Sequence, residues 1–420
     1  MRTRTSVAVA LLVVALAGVG AVALAGGVGW VGGVGGIPGL DAGGTLTERW
    51  VSDTARDTQT NHHAVGVGPE GRVVVAPVAI PKPGSGLPAA DACSLVRLDP
   101  ASGAVDWRAS VPPEHCFSHA LTAPTVADAD GDGESEVAVG TTQDAVVVYD
   151  TDGSEAYRVP LASYGYAPPT VANLTPEAGP ELVALDIGGA VTAANGETVL
   201  WRSGLDESAY AAPHVGDTDG DGEPEVLVGT GKRVALLDSA GYVEWSTSAP
   251  AATMTVAETE SGTVAFAAGV RHLAAVDAAD GSVRWEREPE ANPAVGAVRD
   301  GDDDGANELY VAFNDGRVVA YDAATGEREW EATVSTETTS AAPPPALGDL
   351  DGDGEPELVA PTNGGSVHVL DPADGSTLAT YERDSLVWTH PTLADLDGDG
   401  GDEVLVRYGD GRVVALDYES

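Results

Sequence analysis

Two short words alternate along this chain, and their spacing restricts it to one kind of architecture. The first is acidic and glycine-rich. It reads APTVADADGDGESEVAVGT from Ala123, APHVGDTDGDGEPEVLVGT from Ala212, VGAVRDGDDDGANELYVAF from Val295, PPALGDLDGDGEPELVAPT from Pro344 and HPTLADLDGDGGDEVLVRY from His390. The second is VRLDPASGAVDWRAS from Val96, with relatives ALLDSAGYVEWSTS, AAVDAADGSVRWERE and VVAYDAATGEREWEA. Eroded copies of the first word, PPTVANLTPEAGPELVAL from Pro168 and the segment around Glu258, fill the gaps. The leading positions fall at Asp128, Asn173, Asp217, Glu258, Asp300, Asp349 and Asp395, roughly 41 to 49 residues apart. That period belongs to one four-stranded blade of a β-propeller.

Each repeat can be divided into strands. In the last one, Thr392 to Ala394 is a short first strand, an acidic turn follows, and Glu403 to Tyr408 is a Val/Leu-rich second strand. A hairpin at Gly409 leads to a third strand, VVALD. Elsewhere a D-x-x-x-G turn then leads to a fourth strand carrying Trp. β-Branched residues between Gly, Asp and Asn turn signals are what short strands require. First strands are expected near Ala64, Thr125, Thr170, His214, Thr253, Ala297, Ala346 and Thr392, which gives eight blades. A misreading around Glu258 would leave seven. The eighth repeat stops at VVALDYES, before its Trp-bearing strand, whereas DAGGTLTERWVSD (Asp41 to Asp53) supplies a turn and a Trp at the start. Residues around Thr45 to Val51 are therefore expected to complete the last blade and remove an open sheet edge. The reading is all-β: an eight-bladed propeller over residues 45–420, closed by an N-terminal strand.

The N-terminus is of another kind. Arg2 and Arg4 precede an uncharged apolar run from Val7 to Ala25. This suits a transmembrane anchor or a long signal peptide with Ala23-Leu24-Ala25 as cleavage site. Residues 1–26 are assigned to that segment and 27–44 to a Gly-rich tether. Either way the propeller is expected to be extracytoplasmic, secreted or membrane-anchored.

Composition narrows the partners. With 66 acidic against 21 basic residues, the formal charge is −45. Such a polyanion does not recruit nucleic acid. Only Lys82 and Lys232 are lysines, and Phe occurs three times. Dense carboxylate with scarce Lys resembles proteins of extreme halophiles, where salt screens the self-repulsion.

The D-x-D-G-D-G-x-x-E loop resembles the calcium loop of FG-GAP/VCBS (integrin-type) repeats. The D-x-x-x-G-x-x-x-W word resembles the PQQ-like repeat of quinoprotein dehydrogenases and of the outer-membrane assembly propeller lipoprotein. Together the two resemblances cover nearly all of residues 45–420. Calcium needs about 6–8 hard oxygen ligands, and alternate residues of a tight loop converge on one ion when Gly at the sixth position turns the chain. The expected ligand sets are Asp128, Asp130, Asp132 and Glu136; Asp217, Asp219, Asp221 and Glu225; Asp300, Asp302, Asp304 and Glu308; Asp349, Asp351, Asp353 and Glu357; and Asp395, Asp397, Asp399 and Glu403 with the Gly401 carbonyl. Acidic turns in an acid-rich chain are the alternative. Asn173, Thr175 and Glu177 make a degenerate loop expected to be empty. The ions would be structural, neutralising like charges and so contributing to folding.

Trp107, Trp201, Trp245, Trp285 and Trp330 recur in fourth strands and read as packing between blades, with Tyr157 in the second blade. His62, His63, His119, Tyr166, Tyr210, Trp388 and His390 lead into first strands at one face. They suit either a ligand-binding mouth or a cap on the channel. Cys93 and Cys116 fall at that same face, where a disulfide would staple the insertion Ala79 to Cys93; two free buried thiols are the alternative.

The leading functional expectation is a calcium-stabilised binding or scaffold module acting on a protein or glycan at the cell surface. A quinoprotein dehydrogenase is the competing class. Against PQQ stand the absence of a basic cluster for its three carboxylates, with Arg299, Arg317 and Arg412 scattered, and the absence of an adjacent Cys pair. A polysaccharide-acting enzyme with Tyr166 or Tyr210 as base is a weaker third. The balance leans away from an enzyme.

Overall fold

The computed structural model describes residues 43–80, 93–176, 179–259 and 261–420. The expected anchor or signal segment, most of the tether, Lys82, most of the insertion before Cys93, and Glu177 lie outside the described residues.

Eight antiparallel four-stranded sheets form the chain's repeat units. The first blade runs Gly66–Val67, Val74–Val78, Ser94–Leu98 and Val105–Ser110. The second runs Thr125–Ala127, Glu136–Thr141, Ala145–Asp150 and Glu155–Pro160, and the pattern continues to the seventh, which ends at Thr377–Glu382. The eighth takes Thr392–Ala394, Glu403–Arg407 and Val413–Glu419 from the C-terminus and Thr45–Val51 from the N-terminus. Thr45 pairs with Glu419 and Val51 with Val414. The ring is thus an eight-bladed propeller closed by its N-terminal strand.

Burial follows strand position. Second strands are buried along their whole length, as in Glu225–Gly229 and Glu357–Pro361, save for Gly262 at the hairpin of the fifth blade, because neighbouring blades cover both their faces. This explains their unbroken Val/Leu runs. Each such side chain contributes about 1.5–3 kcal/mol on burial, so a charge at Val228 or Val359 would break the stack. Fourth strands alternate exposed and half-buried positions, as in Val105–Ser110, because one face meets water. First strands are half-buried and touch one another around the axis, the strand at Gly66–Val67 meeting both Thr125–Ala127 and Thr392–Ala394.

The recurrent Trp sets the spacing between blades. Trp50, Trp107, Trp201, Trp245, Trp285 and Trp330 each donate from Nε1 to a carbonyl in the next blade, those of Pro100, Thr151, Ser239, Ala278, Ala323 and Pro372, at 2.6–3.0 Å. The ring lies on the glycine of that blade's turn: Trp107 on Gly153, Trp245 on Gly281 and Trp330 on Gly375. Those glycines have φ of 90°, 72° and 73°, and a Cβ would strike the indole. The D-x-x-x-G and W halves of the second word are therefore one contact, split across consecutive blades.

Two details depart from the sequence reading. The first blade's inner strand is only Gly66–Val67, two residues later than Ala64. A 3-10 turn, Pro69–Gly71, stands where other blades have an acidic loop, and Gly71 abuts the Asp395 carbonyl of the last blade. In the fifth blade, Thr253–Thr259 and Gly262–Gly269 form a long hairpin, so Glu258 lies on a strand rather than in a loop.

Candidate functional site

Alternating strands place the turns between first and second strands on one face and the lead-ins to first strands on the other. The candidate chemistry is divided accordingly: acidic loops on one face, histidine and aromatic rings on the other.

The five acidic loops share one hydrogen-bond pattern, except that Asp300 in the sixth blade accepts from the Gly305 amide alone. In the second blade Asp128 accepts from the Gly131 and Gly133 amides at 2.6 and 3.0 Å. Asp130 and Asp132 accept from the amides two residues on. Glu136, at the start of the second strand, accepts from the Ala129 amide at 2.7 Å and clasps the loop. The clasp recurs from Glu225 to Thr218, Glu308 to Gly301, Glu357 to Leu350 and Glu403 to Leu396. Gly133, Gly222, Gly305, Gly354 and Gly400 all have φ between 91° and 100°. Nothing crowds their Cα, so left-handed backbone is what demands glycine there.

The loops differ in how far their carboxylates converge. Asp300, Asp302, Asp304 and Glu308 bring one oxygen each within 4.8 Å of the others, as do Asp128, Asp130 and Glu136, Asp217, Asp219 and Glu225, and Asp349, Asp351 and Asp353. In the sixth blade, Asp300 Oδ1 and Glu308 Oε1 are buried without a hydrogen-bond partner. Burial, then the surrounding aspartates, raises the pKa of Glu136, Glu225 and Glu308 and pushes Glu357 up to about 7. A carboxylate held among carboxylates favours a proton or another cation.

The degenerate loop has its clasp too. Glu181, not Glu177, is its ninth residue; it accepts from the Leu174 and Thr175 amides and the Thr175 hydroxyl. Thr175 and the amides stabilise its charged form, and its pKa falls despite burial. Counting nine positions from Asn173 would have found it.

A bulge re-aims one residue per blade toward these loops. The pairing of third and fourth strands shifts register in every blade, immediately before the Trp position. The skipped residue is Arg49 in the eighth blade, Glu244 in the fourth and Glu329 in the sixth. Arg49 reaches Asp397 at 2.7 Å, Glu403 at 2.9 Å and Asp417 at 3.1 Å, and its hydrogen bond lowers the Asp397 pKa. Burial, then Asp219, raises Glu244; burial, then Glu308 and Asp302, raises Glu329. One loop therefore receives a cation from the chain, and two receive further negative charge.

On the opposite face, His62, His63, His119, Tyr166 and Tyr210 form a continuous cluster. Ring centroids lie 4.2 Å apart for His62–His63, 4.6 Å for His62–His119, 5.0 Å for His119–Tyr166 and 5.2 Å for Tyr166–Tyr210. Burial lowers all three histidines: His119 to about 4, His62 against the pull of the Thr60 carbonyl, and His63 well below the ordinary imidazole value with the aid of its neighbours. They are neutral at pH 7. Trp388 donates to the Gln59 carbonyl at 2.7 Å, and His390 is exposed. Cys93 and Cys116, both buried, are joined by a disulfide with Cα atoms 5.4 Å apart. No helix among the described residues is long and apolar enough to cross a membrane.

The family model described as outer membrane protein assembly factor BamB, built on PQQ-like repeats, matches residues 91–188 and 184–353, more than half of the chain. The chain belongs to this family. The BamB protein of Nitrosomonas eutropha is 30% identical over 117 residues, which are 28% of this chain and 29% of that protein. The matched stretch thus spans less than a third of the relative's length. The crystal structure of BamB from Moraxella catarrhalis superposes with a TM-score of 0.62 at 17% identity, covering 89% of this chain and 98% of that one. The computationally designed Ika8 protein gives 0.61 at 16% identity, covering 89% and 99%. The C-terminal WD40 domain of Sif2 gives 0.62 at 12%, covering 90% and 99%. At such identities these structures establish the fold alone. In this BamB-family propeller, an indole of one blade donates to a carbonyl of the next at six of the eight junctions between blades.

Proposed function

We propose that this BamB-family propeller is an extracytoplasmic binding and scaffold module, stabilised by calcium and adapted to high salt, that docks a protein or glycan partner on its histidine- and aromatic-lined face. The observation that carries this reading is the Tyr166–Tyr210 pair, with Tyr210 39% exposed, on the face that also carries the half-buried Trp388. Aromatic anchors around a rigid rim suit recognition of a partner. The match to an outer membrane assembly factor supports a protein partner in the same kind of compartment. The N-terminal apolar run supports a membrane-anchored or secreted location.

The acidic loops would hold the ions. Asp300 Oδ1 and Glu308 Oε1, buried without partners, are hard oxygens whose desolvation a divalent cation offsets. The residues of the second, fourth, sixth and seventh loops fit such an ion. In the eighth, Arg49 already neutralises part of the set. Bound calcium supplies positive charge that holds the turns closed; the chain's carboxylates position it and Glu136, Glu225, Glu308, Glu357 and Glu403 clasp the loop backbone. The −45 formal charge supports a high-salt setting.

Crosslinking in native membranes at high salt tests the docking face. Tyr210→Ala and Trp388→Ala are expected to lose the crosslinked partner while remaining folded, with a cooperative melt. Retention of the partner by both variants would move docking to another surface. Dye reduction by the purified chain with added quinone would replace the scaffold reading with an enzymatic one.

A further inference from the structure

We propose that His62, His63 and His119 form a binding site for a divalent late transition-metal ion of the zinc class, separate in place and chemistry from the acidic loops. One ring nitrogen from each residue lies within 4.8 Å of the other two. The three come from two lead-ins, His62 and His63 before the first blade's inner strand and His119 before the second's. Closure of the ring sets them side by side.

The hydrogen bonds already prepare the ligand atoms. His62 Nδ1 lies 2.6 Å from the Thr60 carbonyl, which only accepts, so Nδ1 carries the proton and Nε2 keeps its lone pair. That Nε2 is 2.9 Å from His119 Nδ1, which must then be the donor. A carbonyl that fixes the tautomer and aims the other nitrogen is the usual support of a metal-bound imidazole. His63 Nε2 is closed off from solvent and has no hydrogen-bond partner. Such a nitrogen costs about 1–3 kcal/mol when left unsatisfied, and a metal bond would remove that cost.

A zinc ion with three imidazoles at about 2.0–2.1 Å places the nitrogens about 3.3 Å apart. Small ring rotations bring the cluster to that spacing. His119 then moves its proton from Nδ1 to Nε2, so the neutral ligands need release no proton overall. Nitrogen ligands select zinc, copper or nickel over calcium, which prefers oxygen. Three protein ligands leave a further position for water or a partner's group. Arg407, buried and held by the Pro77 and Gly411 carbonyls and by Asn61 Oδ1, contributes positive charge at His62 and His63. It weakens binding of a bare cation and favours an anionic group in the open position, such as hydroxide or a carboxylate.

Metal-stripped full-length chain, titrated with zinc in excess calcium at high salt, tests the site. The expected result is one tight equivalent, at micromolar dissociation constant or below, lost at least about 100-fold in His63→Ala and His119→Ala and kept in Asp300→Asn. Cobalt(II) should give the intense visible bands of a four-coordinate nitrogen site. This measurement needs no variant, so it decides the question even if a substitution unfolds the protein. Zinc binding that both histidine variants retain would overturn the proposal, as would a cobalt spectrum no different from the aqueous ion.

Discussion

The indole of Trp50 donates to the carbonyl of Pro100 across 2.7 Å, although the two residues belong to the eighth and the first blade. Trp50 lies in the N-terminal strand that closes the ring, and its ring covers Gly103. The first residues of the propeller therefore hold the last blade to the first from both sides, by strand pairing with Val413–Glu419 and by side-chain packing.

Trp50→Ala should lose about 3–5 kcal/mol, the usual cost of emptying a buried aromatic site, because Trp50 is only 6% exposed. Trp50→Phe should lose less, since packing remains and one hydrogen bond of about 1 kcal/mol goes. Denaturant melts measure both. Limited proteolysis should cut the alanine variant first within residues 43–53.

Calcium removal should lower the melting temperature at fixed high salt. Asp300→Asn combined with Asp302→Asn should remove part of that calcium dependence and leave the rest to the other loops. An unchanged melting curve after chelation would eliminate structural calcium.

The pH dependence of one clasp has a defined sign. Glu357 rises from an ordinary 4.5 to about 7 in the folded chain. Its stabilising contribution is complete below about pH 4.5 and is lost as pH climbs through 7, with a slope approaching about 1.4 kcal/mol per pH unit between them. The buried neutral histidines act oppositely in the same window. The readout is therefore wild type minus Glu357→Gln in chelator, which should fall as pH rises. Saturating calcium should abolish or reverse that fall, because the ion favours the carboxylate.

Arg49→Met keeps the aliphatic stem and removes the charge from Asp397, Glu403 and Asp417. Stability without calcium should fall by about 1–3 kcal/mol, the cost of stranding a buried acceptor such as Glu403. Calcium should then stabilise the variant more than the wild type. Paired melts with and without the ion measure the difference.

Cys93→Ser with Cys116→Ser should cost about 3 kcal/mol, as expected for opening a loop of this length. The same loss should follow reduction of the wild type.

The repeat architecture was legible in the sequence because each blade writes its own turn chemistry. Gly133, Gly222, Gly305, Gly354 and Gly400 mark left-handed turns wherever they recur. Val/Leu runs mark strands covered on both sides, and the Trp left over at position 50 marks the missing last strand. These are local demands, set by backbone sterics and by the period of two, so a linear chain displays them. Glu181 escaped notice only because the eroded loop hid the count of nine.

Other features depended on closure of the ring. Arg49 and Glu403 are 354 residues apart and meet at 2.9 Å; a bulge beside Trp50 turns the guanidinium into the last loop. His62 and His119, 57 residues apart, read singly as lead-in residues and become a cluster only when adjacent blades pack. Local residue types fixed the blades themselves, since turn and strand preferences act between near neighbours. Which charges and imidazoles face one another depends on blade-to-blade packing and on a register that no single repeat contains, and tertiary structure alone decided it.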